Sequence, residues 1–262
     1  MTSDQVQTLI DVMDPARARA LQATLGAPPT LQAGDALPPF AHHIYFWDPQ
    51  PPDALGSDGH PATGALLPEV GPLRRMWAAG KLTFHRPLLA GVRAEKITRI
   101  DSITRKSGRS GPLAFVRLRH DIRQRQTLAL TEYQELVYRP KSDAQPATPP
   151  QAPTVADWEE EIRFDPTMLF RYSALTFNGH RIHYDTPYAQ GVEGYSGLIV
   201  HGPLLAHLLM GQASRRISAL SEFTYRATAP LMVDEIATLC GRDGAYWVRG
   251  PDGRLCMQAS AR

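Results

Sequence analysis

The feature that most constrains this chain is an interruption in it. Pro140 to Thr154 reads Pro-Lys-Ser-Asp-Ala-Gln-Pro-Ala-Thr-Pro-Pro-Gln-Ala-Pro-Thr, and its five prolines, which lack amide donors, resist both helix and sheet. The stretch reads as a linker over residues 141–154. It divides the 262 residues into an N-terminal domain at 1–140 and a C-terminal domain at 155–262, each of ordinary single-domain size.

Each half must bury a core, and 43% apolar with 21% charged residues is a composition that can. The 28 Lys+Arg and 26 Asp+Glu leave a net charge of +2 with no basic block, so no nucleic-acid surface is expected. The longest apolar run, Leu198 to Met210, is interrupted by His201, Gly202, Pro203 and His207 and falls short of the roughly 20 residues a membrane span requires. The opening Met-Thr-Ser-Asp-Gln carries no secretory signal. Cys240 and Cys256 lack CxxC spacing, which argues against a disulfide framework or a zinc site and for reduced thiols in a cytoplasmic protein.

The halves share an order. In the first, a helix candidate at Gly64–Gly80 precedes Thr83-Phe84, Arg86 and Pro87-Leu88; in the second, Gly197–Gly211 precedes Thr224-Tyr225, Arg226 and Pro230-Leu231. β-type segments follow in both: Arg99–Thr104, Leu113–Arg119 and Thr127–Tyr138, then Glu235–Cys240, Ala245–Val248 and Leu255–Ala259. Gly-containing turns separate them, at Ser107–Gly111 and Pro251–Gly253. The layout is α+β, with an antiparallel sheet wrapped around a helix in each half.

The densest polar cluster runs from Phe170 through Tyr172, Asn178, His180, Arg181 and His183 to Asp185. A helix from Asp165 to about Thr176 is expected, followed by an Asn178-Gly179 turn and an extended segment in which Ile182 and Tyr184 alternate with His183 and Asp185. A solvated loop is the plainer alternative. Farther on, Leu204, Leu205, Leu208 and Leu209 have helical spacing, and His201-Gly202 fall at the helix start, where free amide hydrogens and the positive dipole end favour an oxyanion or a carbonyl oxygen. Gly202 permits close approach to the backbone, and Pro203 gives up only a donor that would be idle. His207 reads as a core histidine. Asp185 fits a cap of the turn before Pro187 slightly better than an orienter of His183.

The His183-Tyr184-Asp185 element, about twenty residues ahead of Ile199-Val200-His201-Gly202, resembles the signature of the MaoC-like enoyl-CoA hydratases, which have the hot-dog fold. The string Phe170–Asp185, with Trp47, Leu55-Gly56, Gly59-His60-Pro61, Gly64, Leu67-Pro68 and Arg75-Met76-Trp77-Ala78, resembles a narrower branch. That branch holds the double hot-dog mesaconyl-C4-CoA and itaconyl-CoA hydratases and the type 2 3-hydroxyacyl-thioester dehydratases. The resemblance implies two antiparallel sheets, each wrapping a central helix, fused in one chain. By position it implies His183 as the residue that activates water and Gly202 as the amide donor to the thioester carbonyl. Asn178 stands where the broader family has an aspartate. An amide cannot take the proton, so His183 is left as the evident acid/base group while Asn178 holds the water or the β-hydroxyl.

Arg181, His201 and Tyr172 are the candidate substrate-binding residues. Arg181 could meet the free carboxylate of a C5-dicarboxylic acyl group, and a surface ion pair is an equal alternative for it. Arg171, Arg215, Arg216, Arg226, Arg74, Arg75 and Arg86 are candidates for the phosphates of coenzyme A, none singled out. No metal or cofactor is expected beyond the coenzyme A carried by the substrate, and homodimerisation is optional. Trp77 and Phe84 suggest that the first half shapes the acyl pocket without a catalytic set of its own, and His60, beside Pro61, reads as structural. The activity implied is reversible hydration of itaconyl-CoA or mesaconyl-C4-CoA to citramalyl-CoA. Alternatives are dehydration of 3-hydroxyacyl thioesters in fatty-acid synthesis, thioester binding without turnover, and thioester hydrolysis.

Overall fold

The computed structural model describes residues 5–61, 74–108, 111–140 and 148–262. Among these residues ten strands form one antiparallel sheet. The first half supplies β1 (Val6–Asp11), β2 (Arg74–Phe84), β3 (Ala94–Gly108), β4 (Gly111–Gln124) and β5 (Thr127–Arg139). The second supplies β6 (Trp158–Ile162), β7 (Glu222–Ala227), β8 (Ala237–Arg242), β9 (Ala245–Arg249) and β10 (Leu255–Ala261). Spatial order is β1-β3-β4-β5-β2-β7-β10-β9-β8-β6. Counted inward from its own edge, each half therefore runs first, third, fourth, fifth, second, and the halves meet where β2 pairs with β7. In place of two separate sheets, the described residues show one sheet continuous across that seam.

Period-2 patterning makes these strands. Along β4, Ala114, Val116, Leu118 and His120 are buried while Phe115 points out, as alternation on a pleated sheet requires. At the seam Leu82 faces Phe223 in register, and both side chains are fully buried.

Four helices accompany the sheet: α1 (Pro15–Thr24), α2 (Pro166–Thr176), α3 (Thr186–Gly191) and α4 (Gly202–Arg216). α1 and α2 open alike. Asp14 and Asp165 are the N-caps, each accepting a backbone N–H within its first turn, and a proline follows at the first helical position. α4 is the central helix of the second half; its Leu204, Leu205, Leu209 and Met210 enter a core that also holds Phe40, Ile44, Leu82, Leu169 and Phe223. The expected first-half helix at Gly64–Gly80 is corrected over its described part: Arg74–Gly80 lies in β2, where Arg75, Met76 and Trp77 pair with Tyr138, Val137 and Leu136 of β5. Gly64–Leu73 lies outside the described residues. The expected linker is described only from 148 onward, where Ala152 N–H donates to Gly253 O.

No described helix is long and apolar enough to cross a membrane. Because the seam shares one core, Leu82→Ala should lower stability by about 2–5 kcal/mol, measured as the urea midpoint at constant slope; a loss below about 1 kcal/mol would show that the seam is not tightly packed.

Candidate active site

The polar cluster is built by the end of one helix and the start of another. α2 stops because Phe177 adopts a left-handed conformation, φ 52°, so that residue, and not the Asn178-Gly179 pair, makes the turn. Asn178 then shapes the loop, its Oδ1 accepting the His180 N–H at 3.1 Å. The expected extended segment is instead a single 3₁₀ turn over Arg181–His183, which buries Ile182 and His183 together and leaves Tyr184 exposed. Asp185 caps α3 through the Tyr188 N–H at 3.0 Å.

His183 is oriented by backbone. Its Nδ1 lies 2.8 Å from Ile199 O, and because a carbonyl only accepts, Nδ1 carries the proton and Nε2 keeps its lone pair. Burial pushes His183 down to about 3, outweighing that hydrogen bond and reinforced by His180 and His60, so the ring is a neutral base near pH 7. Its face stacks on His201 at 3.6 Å between centroids. His201 is the N-cap residue of α4, fully buried, and shares a 2.8 Å hydrogen bond with Ser173 Oγ. Gly202 opens the helix, where its amide has no carbonyl four residues back to bond. A Cβ on Gly202 would come within 2.9 Å of the Trp77 ring, so only glycine lets β2 sit this close. Tyr172 lies edge-on to His201 at 5.1 Å, and its hydroxyl, buried, has no hydrogen-bond partner among the described residues. His183, His201, Gly202 and Tyr172 thus form one wall.

Arg181 belongs elsewhere. Its Nε and Nη2 donate to Asp185 Oδ2 at 3.0 and 2.7 Å, its Nη1 donates to Ser57 O at 3.0 Å, and its guanidinium lies over the Tyr188 ring. With its fork committed, the geometry favours the ion-pair alternative over carboxylate recognition.

The first half brings more than shape. Gly59, φ +85°, packs against Gly179 so tightly that a Cβ there would lie 2.0 Å from Gly179 O, and the Arg181 N–H donates to Asp58 O at 2.9 Å. His60 consequently lies 4.4 Å from His180, centroid to centroid, and His180 5.5 Å from His183. Asp58 accepts the His60 N–H at 3.0 Å, with its other oxygen 3.5 Å from His60 Nδ1. The sequence placed His60 beside Pro61 as a structural residue and gave no indication of which loop the Gly59-His60-Pro61 string would touch.

A second polar cluster lies behind Phe177. His42 and His43 donate from Nε2 to the two oxygens of buried Glu132, each at 2.9 Å, beside a cavity of about 160 Å³ that Lys96 and His120 also line. His42-His43-Glu132 and Asp58-His60-His180 are the described sets with metal-ligand chemistry. Lys96 lines the cavity beside the first set, and the charge of Arg75 acts on His60 and His180 of the second. His207, buried against Phe40, is a core histidine.

Residues 40–233 match the sequence profile of the family described as hydroxyacyl-thioester dehydratase type 2. The chain is 44% identical over 253 residues to the mesaconyl-C(4)-CoA hydratase of Chloroflexus aurantiacus, covering 94% of this chain and 90% of that one. It is 28% identical over 244 residues to the mitochondrial hydroxyacyl-thioester dehydratase type 2 of Schizosaccharomyces pombe, covering 81% and 80%. Among solved structures, HtdX of Mycobacterium tuberculosis is similar at TM-score 0.69 and 20% identity, covering 98% of this chain and 99% of that one. A second M. tuberculosis protein, described as a double hot-dog, is similar at TM-score 0.63 and 14% identity over 100% and 96%. The fold is the α+β double hot-dog.

Burial lowers His42 to about 4 and His120, His180, His183 and His207 to about 3. These pKa values lie below that of unfolded histidine, about 6.5, so on acidification the unfolded chain takes up protons that the folded one refuses. Stability should fall as the pH drops below about 6.5. A urea midpoint at pH 5 equal to that at pH 7 would contradict this burial.

Proposed function

The chain belongs to the type 2 hydroxyacyl-thioester dehydratase family, and from that premise we propose that it is a hydro-lyase acting reversibly on an enoyl-CoA thioester. The substrate reading is mesaconyl-C4-CoA or itaconyl-CoA, hydrated to citramalyl-CoA; the first rests on the 44% identical relative, while itaconyl-CoA is the finer alternative. The observation that carries the proposal is an unprotonated His183 Nε2 held one stacked ring away from the open N-terminus of α4.

Hydration needs a base for water and a stabiliser for the enolate charge on the thioester oxygen. Nε2 of His183 takes a proton as the water oxygen bonds the β-carbon. In mesaconyl-C4-CoA, whose double bond is conjugated with the thioester, the π electrons move toward the thioester oxygen, which the Gly202 N–H and the positive end of α4 receive, a donor worth about 3–4 kcal/mol in comparable sites. The imidazolium then returns its proton to the α-carbon. One histidine closes the cycle, with no net proton change. Tyr172 and His201 wall the acyl group against Trp77.

A 3-hydroxyacyl-thioester dehydratase of fatty-acid synthesis would use the same residues in reverse; the 28% identical relative favours that second reading. A panel of enoyl-CoA esters, including mesaconyl-C4-CoA, itaconyl-CoA and crotonyl-CoA, followed by mass spectrometry for the gain of one water, separates the substrates. His183→Ala should lower kcat at least about 100-fold with binding retained, and near-normal turnover would remove His183 from this role. Gly202→Ala should cost at least about tenfold through the Trp77 clash and the displaced amide. Arg181→Ala should lower turnover of dicarboxylic and crotonyl thioesters alike; selective loss of the dicarboxylic ones would restore carboxylate recognition to it.

A further inference from the structure

Asn178 presents a chemical gap. Water adding to an alkene keeps one hydrogen as the product hydroxyl, and that hydrogen needs an acceptor to aim the oxygen lone pair at the β-carbon. A carboxylate could accept it. The one oxygen of the Asn178 side chain takes the His180 N–H at 3.1 Å, which turns it toward the loop backbone and leaves it a single lone pair, a weaker acceptor than a carboxylate, and its amide nitrogen only donates.

The loop that Asn178 shapes carries the missing acceptor. His180 stands edge-on to His183, their planes 86° apart and centroids 5.5 Å apart, a separation that lets one water reach a nitrogen of each ring. Behind it lies His60 at 4.4 Å, fixed by Asp58 and by the backbone contact between Gly59 and Gly179. We propose that His180 is a further catalytic residue, accepting the hydrogen bond from the water hydrogen that stays on the product, and that His60 with Asp58 is its positioning pair, contributed by the first half. This rests on the hydro-lyase reading above.

The step balances with one base. The C–O bond forms at the β-carbon, the first water proton passes to His183 Nε2 and from there to the α-carbon, and the second remains on the new hydroxyl, held by a lone pair of His180. His180 needs only to be neutral. Burial foremost, then His60 and Arg75, lower its pKa to about 3, against the opposing charge of Asp58, so the lone pair is available wherever the enzyme works. In dehydration the same nitrogen holds the leaving hydroxyl.

The test is a pair of substitutions assayed with whichever thioester of the panel the wild-type protein hydrates. H180L should lower kcat at least about 100-fold with KM within about threefold, because leucine has no acceptor, and adding N178D to that variant should return at least about tenfold, because a carboxylate then supplies one. Asp58→Asn and His60→Gln should lower kcat by about tenfold, with KM and the thermal midpoint near wild type, a split that a packing role would not produce. H180L retaining more than about a third of kcat, or a loss that N178D does not relieve, would overturn the assignment while leaving the hydro-lyase reading intact. Wild-type protein that hydrates no thioester of the panel would overturn both.

Discussion

The pairing of β2 with β7 is the constraint on which the rest depends. It fuses two five-stranded halves into one sheet, with Leu82 and Phe223 buried across the joint. The seam also carries Trp77, whose ring stacks on Tyr225 at 4.4 Å and presses against Gly202. Neither half alone holds both the imidazoles of the second and the walls of the first.

Electrostatically, burial dominates the site. His60, His180, His183 and His201 form a nearly continuous row of rings, and burial is the largest influence holding each below the ordinary histidine range. Protonating one ring disfavours protonating its neighbour, so the row favours neutral imidazoles. The Ile199 carbonyl sets the tautomer of His183 without adding charge. An aspartate in that place would raise the basicity of the ring and hold the proton longer.

The charged residues act as fasteners. Arg181 ties the 3₁₀ turn at 181–183 to Ser57 of the first half and to Asp185 of its own, and Asp58 fixes His60. Such partly exposed pairs contribute little to stability. Their effect is positional: together with the Gly59 and Gly179 contact they set the His60 ring against His180, and His180 beside His183.

From sequence alone came the proline-marked division of the chain, segments matching β3–β5 and β8–β10, a helix from Asp165 to about Thr176, and a leucine-rich helix opening at Gly202; each follows from local chemistry such as proline geometry or side-chain periodicity. The resemblance carried by Asn178–Asp185 and Ile199–Gly202 pointed to His183 and Gly202. Tertiary structure alone decided that Arg74–Gly80 is strand, since its pairing with β5 and β7 overrides a helical pattern, and that Arg181 is committed to Asp185. It alone brought His60 to His180, across 120 positions of chain, because two glycine backbones can touch only where no side chain intervenes. Patterns along a chain report which residues want burial or a turn, whereas a site assembled from distant loops depends on the register of a sheet that no short window of sequence contains.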